Sequence, residues 1–180
     1  MTRRALSGEV GTSTLVALAT ALAMVGASSC IDASHDDQVQ ALGGEAPGVQ
    51  KGPNHRPGQP CLVCHGGLGP ASARFVMAGT VYAVQGETNP SSGARVHIED
   101  ANGAFYTAIT NRVGNFYITP AQWAPPLPAT VQVTQGQNSQ QMQTNIGRDG
   151  SCAACHTQSP GPTSPGPVYV VAGALPEAGP

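Results

Sequence analysis

Charged side chains and long apolar runs are both scarce in this chain of 180 residues, and each shortage excludes a class of partner or structure. Lys, Arg, Asp and Glu make up 10% of the residues, with eight basic side chains against ten acidic ones. The basic residues form no patch or stripe, so we expect no nucleic-acid partner. The main apolar run, residues 15–25, has eleven residues and falls short of the roughly 20 needed for a permanent membrane-spanning helix.

Aromatic residues are also few, but they are concentrated in the middle of the chain. Seven of the eight lie between Phe75 and Trp123, which places the core there. No stretch in this region shows helical periodicity, whereas strand-like runs separated by turn residues follow one another closely. Asn102-Gly103 between two of these runs predicts a type I′ hairpin. The expected strands are 75–82, 94–100, 104–110, 115–119, 129–135 and 140–146. This pattern predicts a mainly β fold, a small antiparallel Greek-key sandwich.

Only five cysteines are present, and four of them fall into two copies of one motif, C-x-x-C-H. The copies are Cys61-Leu62-Val63-Cys64-His65 and Cys152-Ala153-Ala154-Cys155-His156. Random placement of the cysteines and histidines would give about 0.004 such motifs per chain. C-x-x-C-H is the attachment sequence for c-type haem: each thiol adds to one vinyl group, and the histidine binds the iron. We therefore expect two covalent haem c groups, with His65 and His156 as proximal iron ligands.

Other uses of paired cysteines fit less well. The two pairs lie 87 residues apart, against about 15–20 in a zinc ribbon. A thioredoxin-like redox centre requires alternating strands and helices, which neither motif has around it. Structural disulfides would not require a histidine after each second cysteine.

The N-terminal stretch predicts export. Arg3 and Arg4 precede the apolar run, and small residues follow it up to Cys30, the layout of a secretory signal peptide. The residues before Cys30 resemble a lipobox with Ala27 where Leu is usual, and they also suit an ordinary signal peptidase. We favour lipidation of Cys30, because an exported free thiol is a liability and a diacylated cysteine is a stable anchor. The expected location is the periplasm or cell surface, as an outer-membrane lipoprotein.

Gly and Pro are frequent on both sides of the expected sandwich. Nine of the nineteen residues 42–60 and ten of the 24 residues 157–180 are Gly or Pro, which indicates flexible tails. Within the second tail only residues 168–171, Val-Tyr-Val-Val, could form a strand. The expected organisation is a signal peptide (1–29), a tether from Cys30 (30–54), a first haem segment (55–70), the sandwich (71–147), a second haem segment (148–159) and a tail (160–180).

Three short motifs within the sandwich region support a family resemblance. They are Gly79-Thr80-Val81-Tyr82, Gly93-Ala94-Arg95-Val96 and Thr110-Asn111-Arg112-Val113-Gly114-Asn115-Phe116. Together they resemble a carboxypeptidase-regulatory-like (prealbumin-like) sandwich over about 60 residues. With the flanking haem motifs, the chain resembles exported bacterial di-haem cytochromes that carry such a domain between two C-x-x-C-H sites. The resemblance implies electron transfer and maturation outside the cytoplasm.

The sixth ligand of each iron stays open at this point. His55 lies in a Gly/Pro-rich loop six residues before Cys61, and Met142 is an isolated apolar residue ten residues before Cys152. His97 lies on the face of its expected strand opposite the apolar residues. The candidate distal ligands are therefore His55, His97 and Met142; Met77 is expected in the core and His35 in solvent.

These features predict a carrier of single electrons rather than an enzyme. A peroxidase-like enzyme would need an open iron and an acid–base group beside it, and no cluster of charged residues indicates one. A third possibility is a haem-bearing subunit of an extracellular cytochrome array or filament. Expected partners are redox proteins or an extracellular acceptor, the membrane through Cys30, and further copies of the chain. Six strands separate the motifs, and an even number predicts that both haems lie at the same end of the sandwich.

Overall fold

A computed structural model describes residues 33–173. The predicted signal peptide and Cys30 lie outside this range. The helical elements are α1 (Ala33–Ala41), α2 (Cys61–His65) and a 3-10 turn at Cys152–Ala154. The strands are β1 (Met77–Val84), β2 (Arg95–Glu99), β3 (Phe105–Ile109), β4 (Asn115–Ile118), β5 (Thr130–Gln135), β6 (Asn138–Gln141) and β7 (Val168–Val171). No helix within residues 33–173 is long and apolar enough to span a bilayer.

Two sheets form a small β-sandwich, which confirms the predicted fold class. One sheet has the order β4-β1-β7 and the other β3-β2-β5-β6. Every pair is antiparallel except β1 with β7, where Tyr82 lies opposite Tyr169 in parallel register. The core lies between the sheets because alternate residues of each strand face inward, as Val96 and Ile98 of β2 do at 0% and 1% exposure.

All six expected strands are present, but β6 begins and ends earlier than the pattern indicates. Gln135 pairs with Asn138, so β6 begins directly after a two-residue turn. Gly136 has a φ of +59° at the first central position, as a type II′ turn requires. This tight turn sets the register, so β6 ends at Gln141, and beyond it the expected strand over 140–146 keeps only a single bridge between Ile146 and Ala129.

The hairpin between β2 and β3 differs from the predicted type I′ turn. Gly103 has a φ of +79°, whereas Asn102 does not adopt a positive φ. The backbone N–H of Gly103 donates to Asp100 O at 3.0 Å, and the Asp100 side chain accepts hydrogen bonds from Asn102 N and Ala104 N. The aspartate therefore stabilises a longer loop of type I followed by a left-handed glycine.

Residues 33–60 are folded against the rest of the protein, in contrast to the expected tether. Helix α1 packs on α2, and its half-buried residues His35 and Val39 are four apart and share one face. The loop that follows is fastened to the sandwich: Gly58 N donates to Thr80 Oγ1 at 2.7 Å, and Asn115 Nδ2 donates to His55 O at 2.9 Å. Pairing with backbone polar groups, rather than apolar periodicity, holds this segment, so the sequence pattern did not reveal it.

Candidate functional site

The first motif forms the short helix α2, Cys61–His65. A helical turn places residues three apart on one side, so Cys61 and Cys64 can reach the same haem edge. The His65 ring is fixed by two contacts: Nδ1 lies 2.7 Å from Ala73 O, and the ring stacks on Phe75 at 4.2 Å with an interplanar angle of 15°. Since Nδ1 donates to a carbonyl, Nε2 is left as the lone-pair nitrogen that can bind a metal.

The second motif repeats this arrangement on a different local structure. Residues 152–154 form a 3-10 turn, and His156 N donates to Cys152 O at 2.8 Å. The His156 Nδ1 lies 2.9 Å from Gly166 O, which again leaves Nε2 free to bind iron. Neither His65 nor His156 uses Nε2 in a hydrogen bond to any residue between 33 and 173.

Both motifs lie against strand β1, next to each other. A Cβ placed on Gly79 would come within 2.7 Å of Cys152 Cβ, so the glycine permits close approach of the second motif. Gly58, three residues before the first motif, packs against Gln158, two residues after the second. The Gln158 side chain also donates to Tyr82 Oη at 2.6 Å. The segments that carry the two motifs are thus neighbours in space, although 86 residues separate the motifs in sequence.

The burial of the first cysteine in each motif changes its acidity. All four motif cysteines carry free thiols. Burial, with a smaller contribution from the neighbouring Cys64, raises the pKa of Cys61 to about 11. Burial also raises the pKa of Cys152 to about 12, and its second cause is the nearby Cys61. Both thiols therefore stay protonated at neutral pH in this fold, and the effect of Cys61 on the pKa of Cys152 is a further sign that the motifs are adjacent.

A cavity of about 920 Å³ opens beside the second motif. Its volume is at the upper end of the roughly 300–1,000 Å³ typical of cofactor and ligand sites. Cys152, Cys155 and His156 lie on its wall, together with apolar side chains from β2, β4, β5, β7 and the segment after β6. The apolar members are Val96, Phe116, Val131, Val133, Met142, Ile146 and Val168. A cavity with this lining and a free His Nε2 fits a haem bound by the second motif.

Among the candidate distal ligands, His55 and Met142 lie beside a motif. The ring centroids of His55 and His65 are 5.8 Å apart, and the rings are inclined by 70°. Met142 lines the same cavity as His156. His97 lies on β2 beside Thr107 and Phe105, and it is not part of the cavity wall. The structure therefore brings two of the three candidates together with the motifs and leaves His97 apart.

The two remaining candidates differ in outcome. Met77 is 2% exposed and belongs to the core, as expected. His35 is half-buried rather than in solvent, and its Nε2 is buried with no hydrogen-bond partner among residues 33–173. The cause is helix α1, which packs this residue toward α2.

A network around Glu45 was not foreseen from the sequence. Its Oε1 lies 3.1 Å from His55 Nδ1 and accepts a hydrogen bond from Arg56 Nε at 3.0 Å. The hydrogen bond from Arg56 holds the pKa of Glu45 below its ordinary value, so the carboxylate is ionised at neutral pH. Arg56 also donates to Leu42 O, Gly43 O and Gln59 Oε1. No motif marks Glu45 in the sequence; only the folded loop brings it to His55.

A stack of three rings at the first motif was also unforeseen. Phe75 lies between His65 and Tyr117, with centroid distances of 4.2 Å and 4.6 Å. Tyr117 is 39% exposed, so the stack runs from the proximal histidine to the surface. Clustering of aromatic residues was the only signal in the sequence, and it indicated a core rather than this contact.

Comparison with known proteins adds no relative: no protein-family model, no curated protein and no solved structure matches this chain.

Proposed function

We propose that this protein is a di-haem c-type cytochrome that carries single electrons outside the cytoplasm. The observation that carries the proposal is the pair of C-x-x-C-H motifs, side by side on β1, each with its histidine Nδ1 bonded to a backbone carbonyl. Such a second contact selects the tautomer whose Nε2 binds iron. Two independent motifs share this feature although one forms an α-helical turn and the other a 3-10 turn.

Each part of the chain has a defined role in this proposal. The four motif thiols would attach the cofactors, each by adding its S–H across one vinyl group, and His65 and His156 would hold the iron. The carbonyls of Ala73 and Gly166 orient the two imidazoles. The bound haem iron supplies the one-electron chemistry. The apolar wall of the cavity excludes water and lowers the local dielectric, which is one of the protein's means of setting a reduction potential.

Export and anchoring complete the proposal. A signal peptide over 1–29 and a lipidated Cys30 would hold the protein at the outer membrane, facing the periplasm or the cell surface. Removal of Arg3, Arg4 and Glu9 with the signal peptide leaves six basic and nine acidic residues. Partners would be redox proteins or an extracellular acceptor, and an array of further copies is an alternative arrangement for the same electron-transfer function.

A peroxidase-like activity is a second candidate, favoured by one observation. Arg148 and Asp149 line the cavity beside the second motif, where charged side chains could assist proton transfer. A peroxide or nitrite turnover assay on the purified protein separates the two functions. A carrier shows slow or no turnover, and Arg148→Ala leaves its spectrum and reduction unchanged.

The test of the main proposal is mass spectrometry of the mature protein. We expect two haems covalently bound and retained through extraction with acidified solvent. The double substitution Cys61→Ser/Cys64→Ser should leave only the second haem covalently bound. Cys30→Ser is the matched control: it should keep both haems and lose the lipid mass. Release of all haem into the acidified solvent would contradict the proposal.

A further inference from the structure

We propose that the two haem sites have different distal ligands, His55 at the first motif and the Met142 thioether at the second, so that the second site has the higher reduction potential. The inference rests on the proposed function, because it presupposes haem at both motifs. It adds what that function leaves open: the ligand of each iron and the direction in which electrons move within the protein.

At the first motif, both the position of His55 and the hydrogen bond of its ring favour its use as an iron ligand. Its ring centroid is 5.8 Å from that of His65, and its Nδ1 lies 3.1 Å from the carboxylate of Glu45. A histidine that donates Nδ1–H to a carboxylate presents Nε2 as a more basic donor, the arrangement found behind many metal-bound histidines. The backbone is held as well, since Asn115 Nδ2 donates to His55 O at 2.9 Å. The side chain and the main chain of His55 are thus both fixed beside the first motif.

At the second motif, Met142 is the donor that the cavity offers. Among the residues that the structure describes, His156 is the only histidine on the cavity wall. The described part of the wall therefore offers no second imidazole as the distal ligand. Two other side chains there could ligate iron, the thioether of Met142 and the phenol of Tyr169. Tyr169 is fixed within β7, where it pairs with Tyr82 of β1, whereas Met142 lies just beyond the end of β6. We therefore assign the neutral thioether of Met142 as the ligand.

The different ligands would separate the two potentials. An imidazole made more basic by a carboxylate stabilises the oxidised iron, and a thioether ligand raises the potential relative to a second imidazole. An electron shared between neighbouring sites would then reside mainly at the second motif. The protein would accept electrons through the first site and hold them at the second.

The experiment is a potentiometric titration of the full di-haem protein, followed by optical and electron paramagnetic resonance spectra. We expect two separate one-electron steps. Met142→His should move the higher step toward the lower one and leave the lower step in place. Met142→Ala should make one haem high-spin and leave the lower step in place, whereas Tyr169→Phe, which removes the competing phenol, should leave that haem low-spin.

The first site is tested in the same preparation. His55→Ala should convert the low-potential haem to high spin, and His97→Ala, a half-buried histidine away from both motifs, should change nothing. A low-spin spectrum that survives His55→Ala but is lost in His35→Ala would overturn the assignment of the first site. Loss of the higher step in Tyr169→Phe but not in Met142→Ala would overturn that of the second. Mass spectrometry of each variant, done first, shows whether two haems are bound, so failure of the proposed function is recognised separately.

Discussion

Two glycines of the sandwich have the same backbone angle, yet only one of them touches another strand. Gly103 and Gly114 both have a φ of +79°, and each closes a loop in which an Asp100 or Asn111 side chain accepts two backbone N–H bonds. Around Gly103 there is open space for a Cβ, whereas at Gly114 a Cβ would lie 2.3 Å from Val81 O. At residue scale, the same turn chemistry is thus used once at the surface and once against β1.

These two positions form a matched pair for a stability measurement. Gly103→Ala brings only the strain of the left-handed backbone, which costs about 1 kcal/mol. Gly114→Ala adds a collision with the β1 backbone, so we expect a larger loss of unfolding free energy, about 3 kcal/mol. Denaturant unfolding of the holoprotein measures both. Equal losses would show that the Gly114 loop moves freely away from β1, contrary to the close packing described.

At the scale of elements, the segment before the first motif is held by side-chain hydrogen bonds rather than by a core. Arg56 has four acceptors there, and of the α1 side chains that the structure describes, His35 and Val39 are half-buried. A planar guanidinium serves several acceptors at once, which a single ammonium cannot do. Arg56 therefore contributes much of the stability of this segment and helps to place His55, alongside the hydrogen bonds to Thr80 and Asn115.

We expect Arg56→Ala to loosen residues 42–60 while leaving the sandwich intact. Hydrogen bonds from a charged donor contribute about 1.5 kcal/mol or more each, so amide exchange in this segment should accelerate roughly tenfold or more. Hydrogen exchange read by mass spectrometry tests this, with Arg112→Ala as an exposed-arginine control that should leave the segment unchanged. Arg56→Lys should give an intermediate effect. Unchanged exchange in Arg56→Ala would mean that the backbone contacts to Thr80 and Asn115 hold the segment without the arginine.

At the scale of the whole molecule, the path of the chain through the sandwich brings the second motif back beside the first. Six strands separate the motifs, and the second motif returns to the strand that directly follows the first. Strand β7, which follows the second motif, then pairs with β1 in parallel. The first and the last strand that the structure describes thus belong to the same sheet. This route puts Cys61 close enough to Cys152 to raise the pKa of the Cys152 thiol.

In the proposed di-haem protein, the adjacency of the motifs predicts magnetic interaction between the two ferric haems. Electron paramagnetic resonance of the oxidised protein should show broadened or split signals that do not add up from two isolated centres. The Cys152→Ser/Cys155→Ser variant supplies the control, since the remaining haem should give the spectrum of an isolated centre. Two independent signals in the native protein would show that the haems extend away from one another despite their neighbouring attachment sites.

The strands and the two C-x-x-C-H motifs could be predicted from the sequence because they depend on patterns of neighbouring residues. Alternation in β2 and β5 depends only on neighbouring residues, and the spacing of C-x-x-C-H is itself the chemistry of attachment. The run at 168–171 was recognisable as a strand for the same reason. These patterns could not predict which strand pairs with β7, because its pairing with β1 joins residues more than 80 apart in the chain.

The sequence by itself determined the mainly β fold, the strands and the residues proposed to bind haem. Only the tertiary structure decided that both motifs share β1, that His55 lies beside His65 and is held by Glu45, and that Met142 faces the cavity of the second motif. The physical reason is the range of the interactions. Strand alternation and attachment spacing act over a few residues, whereas ligand placement depends on loops closed by contacts between residues far apart in the chain, and these form only when the sandwich does.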